Sequence, residues 1–560
     1  MSKKQKTGLI ITILFSSLLL SVTMFRSGLF FDFGLGFWGP NGHDGIWHLA
    51  LINQLVKNVP PQNPIFSGTI LSNYHWGYDF LVSLISKITF ISPSVLYFQV
   101  LPILFALILG FLSFKFAYLV TKNYKTSLVF VILNYFASSF GWIVTLIKSG
   151  QMGGESLFWS MQSASTLLNP PFTLSLIILL SGLLLWIKHK NTNSIFYAFI
   201  TGLVFSSLCG VKVYAGALIG ISLAIFWLIK LISTKKFSKF NFWICVFTGI
   251  TSILILYLLG VFKSNSLLEF KPFWFIHSMI ESPDKFYWPK LASFRYNQTN
   301  IFISIFIELS LICIFLIGNL GIRIFGLGHF IFSFIKHKKS DINLLLLNIL
   351  FFSFLVPLFF VQKGTAWNTI QFFYYFLFFI NFYLASFLSS LWTKNKVITL
   401  IILFLACFGS IATLKDYFGN PPPSSLPKNE IAALNFLKTQ PEGVVLTYPY
   451  NKYLKNNIAT PIPLYAYETT AYVSAFSTKT TFLEDEMNLD ITGFDWKTRR
   501  QLVNKFFTST DKFFTRGVLI DNNIKYLYLL DQQKLPLSQQ DLEVDQIYNQ
   551  DGVSIFQVRR

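Results

Sequence analysis

The chain has 560 residues, of which 53% are hydrophobic, 18% aromatic and only 12% charged, with a mean hydropathy of +0.54. A soluble chain of this length needs far more charge to cover its surface, so the composition is that of a polytopic membrane protein. The net charge of +20 does not point to nucleic acid: residues 415–560 hold 16 bases and 16 acids, which leaves 29 bases and 9 acids in residues 1–414, where the bases sit in short gaps between apolar runs.

The first apolar run follows Lys3, Lys4 and Lys6. Later basic clusters are Lys122/Lys125, Lys188/Lys190, Lys235/Lys236/Lys239, Lys336/Lys338/Lys339 and Lys394/Lys396. Cytoplasmic loops hold an excess of Lys and Arg, so this spacing orients the chain. With the N-terminus in the cytoplasm, about 11 spans bring every cluster inside. They fall near 8–25, 95–121, 126–147, 169–187, 195–210, 213–232, 241–262, 301–322, 342–361, 369–391 and 397–414. No A-x-A-like cleavage site follows the first, which therefore reads as a retained span. Segment 325–336 reads as an interfacial helix.

Three outside loops are long or moderate, at 26–94, 148–168 and 263–300, and the inside loops are tiny. Long connections in compact proteins tend to carry function. Within the first loop, FWGPNGHDGIWHLALI (Phe37–Ile52) predicts a helix from His43 to Val59, capped by Asn41 and ended by Pro60-Pro61. A second apolar segment, Tyr78–Ile91, is expected to lie along the membrane surface. KFYWPKLASFR (Lys285–Arg295) mixes bases and aromatics as an interfacial belt does.

An odd span number leaves the last 146 residues outside. Asn420-Pro-Pro-Pro-Ser-Ser opens them as a stiff linker. A helical pattern follows at Asn429–Thr439, then β-type runs at Gly443–Tyr450, Ile524–Leu530 and Val553–Val558. Ser474–Glu486 reads as a solvated acidic loop, with contact to an acceptor as the alternative. The expected organisation is thus a transmembrane α-helical domain, residues 1–414, and an extracytoplasmic α/β domain, residues 415–560.

Of the nine acids in the membrane part, seven fall in outside loops (Asp32, Asp44, Asp79, Glu155, Glu269, Glu281 and Asp284), whereas Glu308 lies in a span and Asp341 in the cytoplasm. Asp44 and His48 are spaced i, i+4, and His75 and Asp79 repeat the spacing in reverse order. Two carboxylates and two imidazoles on neighbouring segments suit one divalent ion. Alternatively, Asp44 is a general base oriented by a histidine, or the histidines and aspartates are structural pairs. Lys212 and Tyr214 lie at an outer span end, as does Lys363 near Asn368 and Gln371. A lysine there suits a phosphate, a snorkelling position or a helix cap. Cys209, Cys245, Cys313 and Cys407 lie in apolar runs and suggest no disulfide framework. No phosphate-binding or dinucleotide motif is present, so no nucleotide cofactor is expected.

NGHDGIWHLALINQLVKNVPPQNP (Asn41–Pro64), NYHWGYDFLVSLI (Asn73–Ile85), the short cytoplasmic start and the outer domain after the last span together resemble the GT-C superfamily of membrane glycosyltransferases. The closest likeness is to oligosaccharyltransferase-like and mannosyltransferase-like bacterial members. The motif support is confined to residues 37–85. The resemblance implies transfer of a sugar from a polyprenyl-phosphate carrier to a glycan, lipid or protein acceptor at the outer face of the plasma membrane. It makes Asp44 the first-loop acid, acting as base or metal ligand. Many members carry an adjacent acid pair or a D-x-D where this chain carries one acid flanked by His43 and His48. The reading places a cavity at the outer face with Asp44 at its floor and Lys212 or Lys363 near a phosphate. Two other classes fit the same spans: a non-enzymatic transporter or lipid-linked glycan translocase, and an envelope scaffold. A carrier calls for paired polar sites at mid-membrane, where Glu308 stands without a counterpart.

Overall fold

Among the described residues, nine helices are long and apolar enough to cross a membrane: Lys3–Phe25, Pro93–Thr121, Pro170–His189, Val213–Thr234, Lys239–Leu258, Ile301–Lys336, Asp341–Phe359, Ala366–Lys394 and Lys396–Gly419. The computed structural model describes residues 1–263, 268–336, 340–419 and 421–559; Lys338, Lys339 and Asn420 lie outside the described residues. The remaining two expected spans are helical as well. Segment 126–147 forms Tyr124–Phe136 and Gly141–Ser149, bent by 45°, and Ile195–Val211 is a 17-residue helix. These segments are apolar on all sides, as helices must be when their backbone bonds are satisfied internally and lipid replaces water. The chain is therefore a multi-pass helical membrane protein.

Contacts divide the chain into two units. One comprises Met1–Val22, Ile103–Leu258 and Asn265–Gly419, and the other Thr23–Pro102, Leu259–Ser264 and Asn420–Arg560. This differs from the expected division into 1–414 and 415–560, because the first long loop folds with the C-terminal residues.

At the centre of the membrane unit is the helix Gln371–Lys394, whose residues Phe372–Ala385 are buried without a break. It packs on Asp341–Phe359, Tyr124–Phe136 and Ile324–Lys336. The last of these, expected as an interfacial helix, follows Ile301–Leu320 through the turn Gly321–Arg323. That turn buries Arg323, which the sequence reading passed over. Its Nε donates to Asn381 Oδ1 at 2.9 Å, and its other nitrogens reach the carbonyls of Ala137 and Asn319. A cation inside a membrane bundle is tolerable only with such partners. Glu308, expected at mid-membrane, is the eighth residue of the helix Ile301–Leu320. There it bonds Arg295 at 2.6 Å and His277 at 2.9 Å.

The second unit contains two four-stranded sheets. In the first, Phe30–Phe31, Gly34–Phe37, Ser424–Leu426 and Ile462–Pro463 lie in that order. The stiff linker read at 420–425 is thus partly a strand, with Leu35 opposite Leu426. Gly34 adopts φ +119, and a Cβ there would stand 2.1 Å from the Leu426 carbonyl oxygen, so the close approach requires glycine. The second sheet has the order Val444–Thr447, Ile524–Leu530, Val553–Val558, Val544–Gln550. The first pair is parallel and the others antiparallel. Three of these strands match the expected β-runs. Val544–Gln550 was not expected: its DQ and NQ pairs leave a mostly exposed edge strand with little apolar alternation. The helix Lys428–Thr439 matches the predicted one and packs on this sheet.

Candidate active site

The first-loop helix runs Asp44–Lys57, preceded by a 3-10 turn at Gly39–Gly42. Asn41 does not cap it. Its Nδ2 donates instead to the Thr23 carbonyl at 3.0 Å and to Ser27 Oγ at 2.9 Å, tying the turn to the end of the first long helix. His43 takes the capping position with no side-chain cap bond, and Asp44 is the first helical residue, where the helix dipole favours an anion.

His43 joins two carboxylates. Its Nδ1 lies 2.9 Å from Asp44 Oδ1 and its Nε2 lies 3.2 Å from Asp485 Oδ1. The imidazole and Asp485 are buried, whereas the Asp44 side chain is 55% exposed. Burial works against a charge on His43, but the charges of Asp485 and Asp44 and the bonds to both hold its pKa well above the usual histidine range. Only an imidazolium can donate from both nitrogens at once. Asp485 is fixed in turn. It adopts φ +42, caps the helix Glu486–Thr492 by accepting from the Asn488 backbone N–H at 3.2 Å, and accepts from Asn488 Nδ2 at 2.7 Å. Non-glycine residues in that conformation cluster at functional sites.

Ser474–Glu486 is therefore not a solvated loop. Glu484 and Asp485 are buried, and Glu484 receives the backbone N–H groups of Val473 and Ser474 at 3.1 and 3.0 Å. Sequence reasoning missed Asp485 because nothing local distinguishes it from the acids on either side. Its partner lies 442 residues away.

The other first-loop residues are arranged differently from the two expected i, i+4 pairs. His48 turns to Asp79, Nδ1 to Oδ1 2.7 Å, and both are buried. The helix bearing Asp79 begins at Gly77, so His75 lies before it and the helical register does not extend to it. His75 is half-buried, with its ring 4.9 Å from that of Tyr74. His48 stacks on Tyr97 at 5.4 Å and meets Tyr78 edge-on. Burial raises the Asp79 pKa against the opposing pull of His48. His48 and Asp79 thus form one buried pair across two segments of the first loop. Asp44, His48, His75 and Asp79 do not come together as one ligand set. Among the described residues, no three histidines, cysteines, aspartates or glutamates are grouped so as to hold a metal ion.

In the membrane unit, Lys212 separates the helices Ile195–Val211 and Val213–Thr234 and is buried. Its Nζ lies 3.4 Å from Asn169 Oδ1 and 5.8 Å from the centre of the Tyr214 ring. The Tyr214 hydroxyl donates to Gln362 Oε1 at 2.7 Å. Lys363 follows Gln362 but is exposed. Lys212 and Tyr214 thus belong to one polar cluster, which Lys363 adjoins through the chain.

A cavity of about 510 Å³ opens in the C-terminal part of the second unit. Its lining includes Tyr450, Glu468, Asp485, Glu486 and Arg500, and Arg500 bonds Glu486. Asp44 is not part of this lining; it lies on the far side of His43 from Asp485. Glu468 nonetheless feels both: burial raises its pKa, His43 lowers it and Asp44 raises it.

Also lining the cavity, Glu430 is buried, accepts from the Tyr528 hydroxyl at 3.0 Å, and has its pKa pushed by burial from 4.5 up to about 7. Its folded pKa lies above its unfolded one, so the folded state holds an extra proton and loses stability as pH rises between those values. Thermal unfolding of the wild type is expected to lose up to about 3 kcal/mol from this source across that window. Glu430→Gln is expected to flatten the slope of stability against pH; an unchanged slope would remove Glu430 as its origin.

No protein-family model matches the sequence, and no curated protein matches it. Solved structures do. The archaeal oligosaccharyltransferase AglB from Archaeoglobus fulgidus, in complex with an inhibitory peptide and a dolichol-phosphate, superposes with a TM-score of 0.50 at 12% identity, covering 94% of this chain and 70% of that one. The oligosaccharyltransferase of the same organism tethered with an acceptor peptide gives 0.49 at 13% identity, covering 94% and 69%. At such identity the likeness lies in the fold, and it extends over nearly the whole chain: this is a multi-pass membrane protein with a fold like that of the archaeal oligosaccharyltransferase AglB.

Proposed function

We propose that the protein moves a sugar from a polyprenyl-phosphate-linked donor to a glycan, lipid or protein acceptor at the outer membrane face, with the N-terminus cytoplasmic and the C-terminal residues outside. The observation that carries this reading is the Asp44 carboxylate. In the first loop of a GT-C fold, it stands half-exposed at a helix start, held from behind by a buried imidazole. The archaeal structure of like fold holds a dolichol-phosphate, a lipid of the polyprenyl-phosphate class proposed here as the sugar's carrier.

The chemistry follows from those groups. The acceptor's O–H or N–H attacks the anomeric carbon and its proton passes to Asp44. The bond from that carbon to phosphate breaks, with the electron pair leaving on the phosphate oxygen. Positive charge grows on the sugar ring in between, and a carboxylate beside it lowers that barrier. The four first-loop residues do not fit one ion, so the proton transfer is assigned to Asp44 alone. Within the membrane unit, the Lys212, Tyr214 and Gln362 cluster, joined by Lys363 along the chain, offers a cation and an amide of the kind that binds a lipid phosphate. His48 and Asp79 support the first loop beneath Asp44, and His75 and its aromatic neighbours border them.

Mass spectrometry of the lipids retained by purified protein tests the reading. A polyprenyl-phosphate sugar accumulating in Asp44→Asn relative to wild type is the expected result. Ordinary phospholipids alone, in both proteins, would overturn it. Lys212→Met is expected to reduce retention of added polyprenyl phosphate roughly tenfold, the scale of one hydrogen bond to a charged group. Equal retention would remove Lys212 from the phosphate's surroundings.

A further inference from the structure

We infer that Asp485 is a positioning residue for sugar transfer, acting through the His43 ring to set the direction of the Asp44 carboxylate. The inference rests on the reading of Asp44 given above and extends it to a residue more than four hundred positions away. Three observations carry it. First, the chain of bonds is continuous: Asp44 Oδ1 to His43 Nδ1 at 2.9 Å, and His43 Nε2 to Asp485 Oδ1 at 3.2 Å. Second, exposure falls along it, from 55% at Asp44 to 7% at His43 and 0% at Asp485, so the outer carboxylate meets solvent while its supports do not. Third, Asp485 is over-determined by its own surroundings. Its two oxygens accept from the Asn488 backbone and side chain, and its backbone adopts φ +42.

A ring bonded at only one nitrogen can rotate about its side-chain torsions. Bonded at both, it has one orientation, and an Asp44 oxygen fixed to that ring has one direction. Asp485 touches no reacting atom in this scheme. Its neighbours Glu468 and Glu486 line the cavity, as Asp485 itself does, so the same residue faces both the ring and that space.

The substitution that isolates the effect is Asp485→Asn. It keeps the size of the side chain and an oxygen able to cap the helix, but offers the ring one weaker, uncharged acceptor. In the full-length protein in detergent or nanodiscs, with a polyprenyl-phosphate sugar as donor, kcat is expected to fall by roughly 10- to 100-fold. Misplacing a reacting group by about 1 Å carries losses of this scale. The KM for the donor is expected to remain within about twofold, since Asp485 binds no part of it. Joining Asp485→Asn to His43→Gln is expected to lower kcat no further than His43→Gln alone, because the two act in one line.

A spectroscopic readout separates this inference from the reading it rests on. In the wild type, nitrogen–proton correlation spectra of the His43 ring are expected to show both nitrogens protonated at neutral pH, and in Asp485→Asn the Nε2 resonance is expected to shift. A wild-type ring protonated at one nitrogen overturns the inference without any assay of transfer, and so serves if Asp485→Asn fails to fold. An unshifted Nε2 resonance, a fully additive double variant, or a kcat equal to wild type overturns it as well. A wild type that shows the doubly protonated ring but transfers no sugar instead refutes the proposed function.

Discussion

Asp44→Asn is expected to lower sugar transfer by roughly 10²- to 10⁴-fold, the range a positioned general base contributes. The change removes the charge and the proton-accepting capacity but keeps the shape, and Asp44 is more than half exposed, so the thermal midpoint is expected to move little. His43 keeps its bond to Asp485 in this variant and can still bond the new amide oxygen. The measurement is a transfer assay with labelled donor lipid, run beside a melting curve. Wild-type turnover in a folded Asp44→Asn protein would sink the assignment. A scaffold, which has no use for an exposed first-loop carboxylate, predicts that result.

The second large effect concerns stability. His48→Ala is expected to cost about 3–5 kcal/mol, because it leaves the carboxylate of Asp79 buried without the imidazole that bonds it. It also deletes a ring that stacks on Tyr97 and meets Tyr78. Asp79 already has its pKa raised by burial, so the variant can relieve the strain by taking up a proton. The sign of the pH dependence follows. With the folded pKa above the unfolded one, the loss deepens as pH rises and shrinks as it falls. Chemical denaturation of both proteins at two pH values checks this. Replacing both partners by apolar residues, His48→Phe with Asp79→Leu, is expected to recover most of the loss. If His48→Ala melts with the wild type at high pH, the pair does not hold the two first-loop helices together.

The two predictions concern residues that look alike in the sequence. Asp44 and Asp79 each stand four positions from a histidine, and periodicity treats the pairs as equivalent. The fold separates them by burial. Asp79 is wholly enclosed and tied to a histidine of the other segment, while Asp44 is exposed at a helix start and tied to its immediate neighbour. Function and stability are thereby assigned to different carboxylates.

The sequence by itself determined that this is a membrane protein, where its apolar helices fall, and that a first-loop acid stands behind the first of them. These are short-range properties: hydropathy over about 20 residues, charge in the gaps, and an acid near a helix start. The helix Lys428–Thr439 and three strands of the second unit were legible for the same reason. Only the tertiary structure decided that the first loop folds with the C-terminal residues, that Arg323 is buried among amides and carbonyls, and that His43 bridges Asp44 to Asp485. Each depends on which distant segment supplies a partner. Periodicity holds no information on that choice, because a buried polar group is specified by the atoms it meets and not by its place in the chain.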